Sequence, residues 1–87
     1  MIGSEDVYSA AHLFDPARLT LARELRALTK AELADKVEKS ASAISQFEGG
    51  RIRPDVQTIH RFALALGVPV SFFARRPGGS RSWIEDQ

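Results

Sequence analysis

The chain has 87 residues, 44% of them hydrophobic and 26% charged, with no cysteine and a formal net charge of +1. Such a length holds one small domain with tails rather than two domains, and the missing cysteine excludes a disulfide framework, a thiolate metal site and a cysteine nucleophile. No apolar run approaches the roughly 20 residues that span a bilayer, and Glu5 and Asp6 stand where an export signal would be basic, so a cytoplasmic protein without membrane contact is expected.

Charge is unevenly spread. Residues 1–15 carry −3, residues 16–76 hold eleven Lys or Arg against six Asp or Glu for a net +5, and residues 77–87 carry −1. The part expected to fold is basic, which is compatible with contact to phosphates.

The first helix is predicted over about Pro16 to Ala27. Asp15 can cap its free amides, Pro16 already has the required φ, and Phe14 and Leu19 are spaced as a hydrophobic staple. Leu19, Ala22 and Leu25 form its apolar stripe, with Arg18, Arg23, Glu24 and Arg26 on the remaining surface. Thr29 followed by Glu32 is a capping box that starts a second helix at Lys30, with Leu33, Ala34 and Val37 on its inner face. Glu38, Lys39 and Ser40 make a tight turn, and Ser40 caps a third helix over about Ala41 to Glu48 that turns Ile44 and Phe47 inward. Gly49 and Gly50 end it, Pro54 keeps the next loop extended, and Asp55 caps a fourth helix with Val56, Ile59, Phe62, Ala63 and Leu66 on its apolar face. Gly67 ends that helix, and Pro69 opens a last short turn through Val70, Phe72 and Phe73. The expected layout is an N-terminal tail over 1–14, a domain over 15–75 and a C-terminal linker and tail over 76–87, both tails flexible.

Within this all-α pattern, Thr29 to Pro54 places small polar side chains on a protruding helix with cations beside its end. That arrangement suits the major groove of DNA. The Leu-Thr-Lys start of helix 2, the ELADKV run, the Ser-x-x-x-Ile-Ser-x-Phe-Glu-x-Gly pattern, the Arg-Pro loop and Ala-Leu-Gly-Val after helix 4 follow in order. On these motifs residues 18–74, about two thirds of the chain, resemble a lambda-repressor-like, XRE-type helix-turn-helix domain, which implies a compact fold of five helices. The opening FDPARLTLARELRALTKAEL is similar, more narrowly, to the N-terminal domains of regulators that carry an ImmA/IrrE-type metallopeptidase domain downstream. That second domain is absent: there is no His-Glu-x-x-His, and His12 and His60 are the only histidines. A stand-alone regulator and an excised N-terminal domain both fit.

The resemblance implies base reading by Lys30, Ala41, Ser42, Ser45 and Gln46. Gln46 offers a donor and an acceptor together, matching adenine, whereas Ala41 and Ala43 can only touch a thymine methyl. Many relatives carry Gln or Arg at the positions of Ala41 and Ala43, so this helix is short-armed and leans more on methyl contacts or DNA shape. Phosphate contacts are expected from Thr29, Lys30, Lys39, Ser40, Arg51 and Arg53, aided by helix-terminal amides. The resemblance further implies a structural ion pair between Arg23 and Glu48 beneath the reading helix, and a candidate dimer interface at Val70, Phe72 and Phe73.

These features favour a transcriptional regulator, a repressor or switch, that binds double-stranded DNA as a homodimer on an inverted-repeat operator. The alternative is an antitoxin-type regulator that holds a toxin, or a peptidase partner, through the apolar residues Val7, Tyr8, Leu13, Trp83 and Ile84 of its tails and autoregulates its operon. His60 reads as a surface residue with no metal role. No nucleophile and base pair, carboxylate cluster or phosphate-binding glycine loop is present, so neither enzyme activity nor a cofactor is expected.

Overall fold

The computed structural model describes residues 11 and 13–74. It contains α1 (Pro16–Leu25), α2 (Lys30–Val37), α3 (Ala41–Glu48) and α4 (Val56–Leu66), followed by a single 3-10 turn at Val70–Phe73. The tail residues Val7, Tyr8, His12, Trp83 and Ile84, and the cations Arg75 and Arg76, lie outside the described residues. None of the α-helices is long and apolar enough to cross a membrane.

Each helix starts on local side-chain chemistry. Asp15 accepts from the Ala17 amide, Thr29 and Glu32 form a reciprocal capping box, Ser40 accepts from Ala43 N, and Asp55 accepts from Thr58 N. The helix ends share a second device, in which an amide beyond the helix reaches back five residues. Leu28 donates to Arg23 O, Lys39 to Ala34 O, Arg51 to Gln46 O and Val68 to Ala63 O. This closure needs a left-handed residue just before the donor. Gly50 and Gly67 supply it at two ends, but Ala27 and Glu38 supply it at the others, at φ 56° and 60°. The α1 boundary is corrected accordingly: the helix stops at Leu25 rather than Ala27, because Ala27 leaves the helical region to close the end. Of the paired glycines after α3, only Gly50 is left-handed, while Gly49 keeps a helical backbone.

The expected fifth helix is a single 3-10 turn, started by Pro69 and too short for an α-helix. It still closes the core. Phe73 is fully buried, stacks near Phe62 of α4 and Phe14 (centroids 6.3 Å from each), and Phe62 meets Phe47 of α3 edge-on at 5.6 Å. The Asp15 amide donates to Phe73 O at 2.8 Å, and Phe14 pairs with Ala74 in an isolated antiparallel bridge, so the two ends of the fold are tied together. Around this aromatic chain, Leu19, Leu33, Val37, Ile44, Ile59 and Leu66 complete a core to which every helix contributes. The α2–α3 pair packs on α1 and α4, which leaves the outer face of α3 to solvent.

Candidate nucleic-acid interface

The short turn Glu38–Ser40 joins α2 to α3 and is fixed from both sides. Glu38 takes the left-handed conformation that sharpens the turn, and Arg61 of α4 donates to the Val37 carbonyl at 3.4 Å and to the Glu38 carboxylate at 3.0 Å. Sequence reading missed this role of Arg61, because its partners lie 23 and 24 residues away and no local pattern joins them.

Beneath α3, Arg23 and Glu48 form a bidentate pair, with Nε to Oε2 at 2.7 Å and Nη2 to Oε1 at 3.2 Å. The Arg23 side chain is 11% exposed and that of Glu48 6%. A third donor of the same guanidinium reaches the Leu28 carbonyl at 2.8 Å, so one side chain clamps α1, the α1–α2 turn and the end of α3. Hydrogen bonds donated to Glu48 raise the guanidinium above its already high ordinary value, outweighing burial, so Arg23 stays charged.

Arg18 of α1 and Arg26, the residue just after that helix, are also structural. Arg18 donates to Phe72 O at 3.2 Å and lies over the Phe72 ring, and Arg26 donates to the carbonyls of Leu66 at 2.6 Å and Gly67 at 3.2 Å. The expectation that Arg23 sits on the α1 surface is therefore corrected, and Arg18 and Arg26 are occupied at the domain's C-terminal end. The net charge of the folded part overstates what DNA can meet. Four of its arginines, Arg18, Arg23, Arg26 and Arg61, hold the protein together.

Of the cations outside these contacts among the described residues, Lys36 lies on α2 near Leu64 and Ala65 of α4, and the other four border α3. Lys39 precedes it, Arg51 and Arg53 follow it, and Lys30 reaches it from α2, all exposed and none in an ion pair among the described residues. On α3 itself Ala41, Ser42, Ser45 and Gln46 are exposed, Ala43 is half-buried, and Ile44 and Phe47 are buried. The structure thus brings every expected reading position to one surface. Lys30 Nζ lies 3.2 Å from Ser45 Oγ. Thr29 and Ser40 each use an oxygen lone pair for capping, which leaves the hydroxyl proton available to an outside acceptor.

The two helix starts differ electrostatically. The first turn of α2 contains Glu32, whose carboxylate already sits on the Thr29 amide, whereas the first turn of α3 has no acid. Of the two, the start of α3 is the better anion site. Past α3, Ile52 is partly exposed between Arg51 and Arg53, and the loop is pinned by amides of Arg51 and Ile52 on Gln46 O and by buried Pro54. Hydrogen bonds from Thr58 hold the Asp55 carboxyl below its ordinary value, with Lys39 adding a smaller attraction.

Of the candidate dimer residues, Phe73 belongs to the core and has no surface to offer, while Val70 and Phe72 remain half-buried. His60 is exposed on α4, and among the described residues no group of three or more His, Cys, Asp or Glu is placed to hold a metal ion.

A family model described as a helix-turn-helix domain matches residues 17–71, the span from the first turn of α1 into the 3-10 turn. No curated protein matches the chain.

Proposed function

The chain belongs to the helix-turn-helix family, of the lambda-repressor type, and from that premise we propose that it is a sequence-specific transcriptional repressor that sets α3 in the major groove of an inverted-repeat operator as a dimer. The observation that carries this reading is the exposed face of α3, polar and short-armed, bordered by Lys30, Lys39, Arg51 and Arg53, none of them in an ion pair among the described residues. Gln46 is its only long uncharged reader and matches adenine N7 and N6, while Ala41 suits a thymine methyl. Lys39, Arg51, Arg53 and the start of α3 hold the flanking phosphates and set the register.

So few base readers give one protomer little discrimination, and two protomers on half-sites about one helical turn apart multiply it. Val70 and Phe72 are the candidate dimer residues, and Leu21 and Leu25 on α1 and Leu64 on α4, 47%, 70% and 82% exposed, add apolar surface that a dimer could cover. Repression follows from occupancy of a promoter by the dimer. With three or four phosphates neutralised per protomer, the slope of log affinity against log salt should lie between about −5 and −7. Titration of a bound duplex across salt concentrations checks this, and a flat response would refute it.

A further inference from the structure

The ammonium of Lys30, the first residue of α2, lies against the hydroxyl of Ser45, in the second turn of α3. Ser45 is exposed on α3 between the helix start and the loop cations, so the Lys30 ammonium held against it shares the α3 face that carries Ala41, Ser42 and Gln46. In this contact Ser45 accepts, which leaves its own proton to donate outward, and Lys30 retains two of its three N–H groups. Among the described residues neither group makes another side-chain hydrogen bond. The pair therefore sets two kinds of donor side by side, the Lys30 ammonium and the Ser45 hydroxyl, with one Ser45 lone pair remaining as an acceptor.

Guanine offers two adjacent acceptors in the major groove, N7 and O6. Adenine offers an acceptor beside a donor, thymine one acceptor beside a methyl group, and cytosine a donor. Two neighbouring donors complement guanine alone. We infer that Lys30 and Ser45 act as one two-donor unit across the α2–α3 junction and select a guanine in each half-site, separately from the base read by Gln46. The inference rests on the proposed DNA-reading role of α3.

The test starts from the duplex that the parent protein selects out of a random pool. Affinity for that duplex is compared with affinity for one carrying adenine in place of the half-site guanine, using the parent, Lys30→Met, Lys30→Gln and Ser45→Ala. Both positions are exposed, so the variants should melt like the parent. The parent should favour guanine about tenfold or more, the range of a good two-bond contact. Lys30→Met should abolish that ratio, Ser45→Ala should reduce it, and Lys30→Gln, with a donor beside an acceptor, should turn preference towards adenine. A Lys30→Met variant that weakens binding to both duplexes equally would make Lys30 a phosphate ligand and overturn the inference, as would selected half-sites without guanine. In both of those cases DNA reading by α3 survives. A parent with no sequence preference would instead defeat that reading itself.

Discussion

Replacing Glu48 with alanine removes one half of a bidentate pair whose other half stays where it is. The Arg23 guanidinium is 11% exposed and cannot turn to water without breaking its bond to the Leu28 carbonyl. Removing one partner of a buried pair costs about 3 to 5 kcal/mol, and the retained carbonyl, with Glu24 at 4.0 Å, places this case at the lower end, near 3. Domains of this size have total stabilities of about 3 to 9 kcal/mol, so the loss is a large share. At about 4 to 8 °C per kcal/mol, the midpoint should fall by about 12 to 24 °C. Thermal and urea unfolding followed by circular dichroism measure it, and DNA affinity should fall alongside because Glu48 seats the end of α3. The double variant Arg23→Met/Glu48→Leu separates the unpaired charge from lost packing. It should recover most of the stability, since an apolar replacement of a buried pair is often neutral or better. A Glu48→Ala midpoint within about 2 °C of the parent, well under the shift expected even for 1 kcal/mol, would refute the clamp.

Three further outcomes follow from the same contacts. Ala27→Gly should stabilise the domain by about 0.5 to 1 kcal/mol, because Ala27 is exposed and left-handed and glycine removes the strain of its Cβ; an unchanged or lower midpoint would contradict the strain. The Asp55 carboxyl is held below its ordinary value, so its contribution is present above about pH 4 and is lost as pH falls through the folded value. Asp55→Asn keeps a capping side chain that does not titrate, so its deficit against the parent at neutral pH should narrow below pH 4 in acid unfolding, and parallel curves would remove Asp55 from the acid response. Arg51→Gln should weaken binding to every duplex by a similar factor and make the salt slope of a dimer shallower by about 2, one phosphate per protomer. A change confined to one base pair would make Arg51 a reader instead.

Helix starts were legible in the sequence because a cap is chosen by its own neighbours, and Asp15, Thr29, Ser40 and Asp55 all act within three residues. Helix ends were legible where glycine marks them and at Val37, where the Ser40 cap of α3 follows too closely for α2 to continue. Ala27 and Glu38 adopt the left-handed conformation under tertiary constraint, which is why α1 reads as longer than it is. The outer face of α3 followed from spacing once Ile44 and Phe47 were set inside. The fate of the arginines could not be read in the same way. Arg18, Arg26 and Arg61 resemble solvated surface residues, and only the folded chain brings Phe72 O, Leu66 O and Glu38 to them. Phe72 and Phe73 are adjacent and chemically equal, so only the 3-10 turn decides that Phe73 enters the core and Phe72 lies under Arg18.

Selection of bound duplexes from a random pool, with the parent and Gln46→Ala side by side, puts the role of α3 to direct trial. The parent should enrich two inverted half-sites with centres about 10 base pairs apart, and Gln46→Ala should keep that spacing while losing preference at one base pair in each half-site. A pool that stays random with the parent, or an identical motif from Gln46→Ala, would contradict base reading by this helix.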